Sequence, residues 1–478
     1  MNRSGNIKNE DLQGGFWNFI DRIKGDKVVW IIVFLLTMVS ALAIFSSTSQ
    51  LVEASRDRLD LIREHALFII IGYILIFAIY YLGRIGIMKW LSRWGFAVSF
   101  VLLLILDTHA NLGFIRAERI NGAWRTLSLF GFQLHVFEIV KVAMVMYLAW
   151  ALHSYGKDQE AAARKKESPS FRTLNRLAKN PSLKFLGTAR WKRIIHLYLP
   201  VITVTVMTKP GSNSSMILIG GICLLILLIG KMPFKEIFLI LAAGVAAIGL
   251  CMGIYFASGK TVFKGMRFDE IVTRFSADYS IERLKEIEAD PELGAESKEW
   301  YKVRDEIRQP YSAKIALHEG GFKGKGSGNS TQKHVVAHIY SDYMFSFIVE
   351  EYGLLGGIFI IILYVSLLAR GSMIAKYCPN DFTRYAVGGL SLLITGQAFM
   401  HIYVNIDIGP MTGQTLPLVS DGSFAFLMFC IAFGIILSIS KMAREDIREE
   451  EEAAAPIYDS EKDDVQAAMD VLEQIDNQ

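Results

Sequence analysis

The sequence predicts an all-α polytopic membrane protein with ten transmembrane helices, both termini cytoplasmic, and one large external loop between spans 7 and 8. Three observations carry that prediction. The chain of 478 residues is 52% apolar and only 20% charged, with a formal charge of +3, where a soluble domain carries about a quarter charged residues. Its apolar residues gather into ten runs, 30–47, 65–83, 94–106, 134–153, 194–207, 215–230, 237–257, 343–369, 385–406 and 423–440. Of its 50 basic and 47 acidic residues, only Glu138, Lys141, Glu350 and Glu351 fall inside those runs. Such segregation excludes a soluble multidomain enzyme, a disordered chain and a nucleic-acid binder driven by net charge.

Taken in order, a cytoplasmic segment 1–29 precedes the spans, and 30–257 holds helices 1–7. A spanning helix needs about 20 predominantly apolar residues to cross a hydrocarbon core of roughly 30 Å. Most runs reach that length. Run 94–106 extends backwards through Trp90, with Lys89 and Arg93 snorkelling to the interface. Run 194–207 extends through its N-terminal end and contains Pro200. Helices 8–10 follow in 343–440, and 441–478 is an acidic cytoplasmic tail with 13 acidic and 4 basic residues. Orientation comes from Lys and Arg in short loops. With the N-terminus inside, internal segments hold 27 of them and short external loops 7. No cleavable signal peptide is expected before the first run. Cys223, Cys251, Cys378 and Cys430 fall in spans or on the cytoplasmic side, where a disulfide framework is not expected.

The cytoplasmic loop 154–193 carries 11 basic residues and reads as an anchor against anionic lipid. The external loop 258–342 is too long, at 85 residues, to lack structure, so it is expected to fold into a cap with helical stretches over Ser280–Glu288 and Ser297–Gln309. Five glycines lie between Gly320 and Gly328, flanked by Lys323 and Lys325. That density suits backbone amides approaching an anionic head group, and equally a flexible hinge; both readings stand at this point.

Asp342 ends this loop at the start of a span. It reads either as a helix N-cap or as a reactive carboxylate at the outer membrane surface. Glu350 and Glu351 lie about 12 Å deeper along the same helix, where a charge must face the bundle interior or a partner. Glu138 and Lys141 share a helix face, which reads as an internal ion pair or as the wall of a phosphate site.

These residues resemble three ordered blocks of the SEDS family (FtsW/RodA/SpoVE). The first is Asn121-Gly122-Ala123-Trp124-Arg125 with Phe132-Gln133 and Glu138-Ile139-Val140-Lys141. The second runs from Gly320-Gly321 through Gly324-Lys325-Gly326, Gly328-Asn329-Ser330 and Gln332-Lys333 to Ser341-Asp342 and Glu350-Glu351. The third is Gln397, Pro410, Gly413 and Leu416-Pro417-Leu418-Val419-Ser420-Asp421-Gly422-Ser423. Three departures stand out: His338-Ile339-Tyr340-Ser341 before Asp342, Lys209-Pro210-Gly211-Ser212-Asn213-Ser214 without the family's acid, and Asp421 where an aromatic is usual. Lys24 to Ile31 resembles the division-type branch in Bacteroidetes-like bacteria.

The resemblance implies a peptidoglycan glycosyltransferase of the inner membrane, polymerising lipid II on its outer face in septal wall synthesis. It implies Asp342 as the catalytic residue. It implies Arg125, Lys141, Glu138, Lys323, Lys325, Gln397 and Ser420 around the undecaprenyl-pyrophosphate-linked substrate. A magnesium or manganese ion on Asp342 is expected. A class B penicillin-binding protein and other divisome proteins are the partners implied. One carboxylate acting alone favours inversion at the anomeric carbon. Alternatives are a RodA-like elongation polymerase, a transporter flipping the same lipid, and a non-enzymatic division scaffold.

Overall fold

The computed structural model describes residues 24–47, 58–258, 285–335 and 340–443, apart from positions 112, 114, 121, 122, 165–169, 286, 290–296, 410 and 411. The N-terminal 23 residues, the acidic tail beyond 443, Asn121-Gly122, His338-Ile339, Pro410 and most of Ser280–Glu288 therefore lie outside the described residues.

Nearly every predicted run is helical. The elements are α1 (Lys27–Ser47), α2 (Arg58–Leu82), α3 (Ile85–Arg93), α4 (Gly95–Asp107), α5 (Val136–Ala163), α6 (Arg172–Leu177), α7 (Ala189–Arg193), α8 (Leu199–Thr208), α9 (Asn213–Ile229), α10 (Phe234–Ala257), α11 (Lys298–Gly320), α12 (Met344–Lys376) and α13 (Asp381–Asn405). The last is α14 (Ser423–Ala443). Among the described residues seven helices are long and apolar enough to cross a membrane, and eight if α3 and α4, bent by 40° at Trp94, form one span. At 17 residues α9 falls just short. The protein is thus a helical polytopic membrane protein, with α5, α13 and α14 most enclosed and α10 almost bare.

Two interruptions have local causes. Pro200 cannot donate to the carbonyl of His196, four residues back. A π-turn over Ile194–Tyr198 precedes it, and the Tyr147 hydroxyl donates to that carbonyl at 3.0 Å. In α12 the helix breaks at Gly353 (φ 71°, ψ −175°), a conformation open essentially to glycine alone. The backbone groups released there are recovered by the glycine-rich segment. Leu354 N–H donates to Gly321 O at 2.9 Å, and Lys325 and Gly326 N–H donate to Glu350 and Glu351 O, each at 2.9 Å. A Cβ on Gly324 would run into the Glu351 carbonyl oxygen. The glycines thus allow two backbones to meet, a third arrangement beside the anion cradle and the hinge.

The all-α expectation needs one correction. The stretch between runs 94–106 and 134–153, with the first residues of the latter, forms a three-stranded antiparallel sheet, β1 (Ile115–Ile120), β2 (Ala123–Leu129) and β3 (Phe132–His135), whose order follows the chain. Leu129 pairs with both Ile115 and Phe132, and positive φ at Phe130 and Gly131 makes the tight turn between β2 and β3. The strand run ends at His135, where α5 begins, so run 134–153 starts in a strand. The expected helix over Ser297–Gln309 forms as α11, capped by Ser297 Oγ, which accepts from Trp300 N–H at 3.1 Å, and it continues through Pro310 to Gly320.

Candidate active site

The junction from β3 into α5 places Glu138 in the first turn of α5 and Lys141 one turn further on. Lys141 is 2% exposed. A buried ammonium must place each of its three protons, and it does. Lys141 Nζ donates to Glu138 Oε1 and Gln397 Oε1, both at 2.6 Å, and to Gln414 Oε1 at 3.2 Å. The two amides continue the network: Gln397 Nε2 donates to Thr415 O at 3.0 Å, and Gln414 Nε2 to the Ser214 and Ser215 hydroxyls at 3.2 Å. Lys141 therefore ties α5, α13, α9 and the 412–421 segment together.

Arg125 stands half-buried on β2, and its Nε donates to Gly211 O at 3.2 Å. His135 lies within electrostatic range of Arg125, Glu138 and Lys141, so these four form one group. The loop that meets Arg125 also meets the 412–421 segment, through Ser214 Oγ donating to Thr412 O at 2.6 Å.

Asp342 stands half-buried where this segment meets the start of α12. The Ser341 hydroxyl donates to its Oδ1 at 3.2 Å, and a Cβ on Gly413 would be in contact with its Oδ2. The N-cap position of α12 is Tyr343, with no side-chain cap bond, so the cap reading of Asp342 does not hold. Its backbone is strapped from outside. Asp421 N–H donates to Tyr340 O at 2.9 Å, Ser420 Oγ to Ser341 O at 2.8 Å, and Asn405 Nδ2 to Asp342 O at 3.1 Å. Three successive carbonyls are thereby held by three donors. Ser420 thus steadies the chain beside Asp342.

A second carboxylate stands close by. Burial, with the Glu64 charge, pushes the Asp421 carboxyl above the usual carboxylate range, partly offset by the Gly422 amide. The Tyr340 hydroxyl is raised by burial and by the charges of Asp421 and Asp342.

Lys323 and Lys325 are not brought into this group. The glycine segment packs on α12 at residues 349–354, about 12 Å along the helix from Asp342. Lys323 is exposed there. Lys325 Nζ bonds to Glu319, to Thr331 Oγ1 at 2.8 Å and to Glu350 Oε1 at 3.0 Å. Burial works against that ammonium, but Glu319 and Glu350 more than offset it and raise its pKa. Glu350 also accepts from Thr331 N–H at 2.8 Å and from Ser330 Oγ, while Glu351 accepts from Ser46 Oγ at 2.5 Å and Gly328 N–H at 3.0 Å. Both deep acids thus anchor the loop to the bundle. Among the described residues no group of three or more His, Cys, Asp or Glu is arranged to hold a metal ion.

His401 and Asn405 had not been singled out in the sequence. With Gln397 they stand four residues apart along α13, a polar stripe on one helix face, at most 1% exposed. That spacing in an otherwise apolar run was the available signal.

The model of the FtsW/RodA/SpoVE family, described as cell cycle protein, matches residues 26–445. The peptidoglycan glycosyltransferase MrdB of Escherichia coli K12 is 26% identical over 89% of this chain and 95% of its own. The probable peptidoglycan glycosyltransferase FtsW of Neisseria gonorrhoeae is 25% identical over 88% of this chain and 85% of its own. A local match to the probable FtsW of Hahella chejuensis reaches 36% identity and spans 42% of that relative. Among solved structures, one of a peptidoglycan synthase complex that coordinates polymerization and crosslinking aligns with TM-score 0.56, 18% identity, and 87% and 98% of the two chains. The rod shape determining protein RodA of Thermus thermophilus aligns with TM-score 0.52 and 15% identity, covering 88% of this chain and 98% of that one.

Proposed function

The chain belongs to the FtsW/RodA/SpoVE family and is a membrane glycosyltransferase of peptidoglycan synthesis, and on that premise we propose that it polymerises lipid II with Asp342 as the reacting carboxylate. The observation that carries this reading is the setting of Asp342. The chain around it is fixed by three donors, its carboxylate is not the cap of α12, and it touches Gly413, whose neighbour Gln414 accepts from Lys141.

We place ten spans in the bilayer, counting α3 with α4 as one and α7 to α8 and α9 as one each. Both termini then lie inside, and the sheet, α11 and Asp342 lie outside. The 4-hydroxyl of one lipid-linked disaccharide attacks the anomeric carbon of another. Its oxygen forms the new glycosidic bond, its proton passes to Asp342, and the anomeric carbon–phosphate bond breaks with its electron pair leaving on the undecaprenyl pyrophosphate. Direct attack by the acceptor hydroxyl, with no covalent intermediate on the protein, makes the step inverting. Arg125 supplies positive charge to the departing pyrophosphate. Lys141, its protons placed within the protein, holds Glu138, Gln397 and Gln414 in register. Asp342 would hold a magnesium or manganese ion, which would supply charge neutralisation at the pyrophosphate. The exposed Lys323 adds charge to the outer surface.

The division role, a class B penicillin-binding protein partner and a septal position belong to this proposal. The relatives include both FtsW and MrdB, so elongation is its counterpart. A flippase would need access from both faces, whereas Asp342 sits at one end of α12, which suits chemistry on one side. The test is polymerisation of lipid II by the purified chain in detergent. Glycan chains from wild type and none from Asp342→Ala support the assignment, and chains from both sink it.

A further inference from the structure

We infer that His401 and Asn405 are positioning residues for Asp342: they cap the first turn of α12 from α13 and so leave the Asp342 carboxylate turned toward substrate. The inference rests on the reading of Asp342 as the reacting carboxylate. An aspartate just before a helix ordinarily folds its carboxylate over the open amide donors of the first turn. Here two of those donors are already taken. Phe345 N–H donates to His401 Nε2 at 3.3 Å, and Ser346 N–H donates to Asn405 Oδ1 at 3.0 Å.

The two side chains are themselves locked. Because His401 Nε2 accepts, its proton lies on Nδ1, which donates to Gln414 O at 2.7 Å. Gln414 is one of the three acceptors of Lys141, so the imidazole is oriented by the buried polar network. Asn405 Oδ1 also accepts from Ser346 Oγ at 2.9 Å, while its Nδ2 donates to Asp342 O at 3.1 Å and His401 O at 2.9 Å. One asparagine thus grips the backbone on both sides of Tyr343, and the histidine beside it blocks the next amide. Neither side chain reaches the Asp342 carboxylate; each acts on it through the backbone. Loss of either releases a first-turn amide, three residues after Asp342 at Phe345 or four at Ser346, toward which the Asp342 carboxylate can fold. A carboxylate drawn onto the helix no longer faces an incoming hydroxyl.

The test is steady-state lipid II polymerisation by the full chain, purified in detergent, for Asn405→Leu, His401→Leu, His401→Gln and Asp342→Asn. Displacing a reacting group by about 1 Å costs up to about a hundredfold, so both leucine variants should lose about ten- to hundredfold in kcat with KM within about twofold of wild type. Glutamine can still accept from Phe345, and His401→Gln should recover most of that kcat. If a leucine variant does not fold by thermal unfolding in detergent, Asn405→Ser replaces it, with the same kcat loss expected. Unchanged kcat in the folded variants, or a loss confined to KM, overturns the positioning role. Wild-type activity in Asp342→Asn overturns the underlying reading instead, which keeps the two failures apart.

Discussion

Lys141 shows how a buried charge is made tolerable. Its ammonium sits among one carboxylate and two amide oxygens, and those acceptors come from three different parts of the chain. Removing one partner of a buried pair typically costs about 3–5 kcal/mol, because the other charge stays behind uncompensated. Lys141→Met should lower stability by that order, read as thermal unfolding in detergent. A loss below about 1 kcal/mol would show that the ammonium serves a ligand and not the bundle. Asp421 carries the opposite lesson. Its folded pKa is raised by burial and Glu64, so the folded state binds its proton more tightly than the unfolded chain does. Its contribution to stability is therefore present at low pH and lost as pH rises through the folded pKa. Asp421→Asn should raise the unfolding temperature at pH 7.5 and give little gain at pH 4; an equal gain at both would contradict the burial argument. Lys141 and Asp342 could be picked out of the sequence as chemistry-bearing. Of their partners, Glu138 and Gln397 could be too, His401 and Asn405 showed only as a polar stripe, and Gln414 did not stand out, because packing alone brings it to Lys141.

At the scale of elements, α12 and the glycine segment form one device. The helix breaks at Gly353, and the backbone groups freed there are served by residues 321–326. Glu350 and Glu351 complete the junction from the helix side, through Lys325, Thr331, Ser330, Ser46 and Gly328. Gly353→Ala must adopt a conformation that costs about 1–3 kcal/mol and must also clear the Phe322 carbonyl. It should lower stability by at least that amount and open the 321–335 segment to limited proteolysis; unchanged protease resistance would contradict the account. The glycine spacing was plain in the sequence, but its use was not, because a close approach of two backbones looks the same there as a ligand cradle. The sheet was missed for another reason. Its strands are 4 to 7 residues long, and a reading built on long apolar runs passes over them.

For the whole molecule, the apolar runs were legible because a membrane demands unbroken hydrophobic length, and helices form where they were expected. The breaks, bends and β-hairpin depend on contacts between distant segments and appear only in the fold. Two of the buried polar systems among the described residues, one around Lys141 and Asp342 and one around Glu350 and Glu351, are both served by α12. The topology proposed above predicts that cysteines placed at the exposed residues 24 and 130 are labelled by impermeant maleimide from opposite sides of the membrane. Labelling of both from one side would contradict it. The central claim is that Asp342 performs chemistry on lipid II and does not merely help to hold it. The most direct measurement follows binding and polymerisation of lipid II in the same preparations of wild type and Asp342→Asn, with and without the cognate transpeptidase. The account predicts that Asp342→Asn binds lipid II as wild type does and forms no glycan chain under either condition. Glycan chains from Asp342→Asn at the wild-type rate would contradict it.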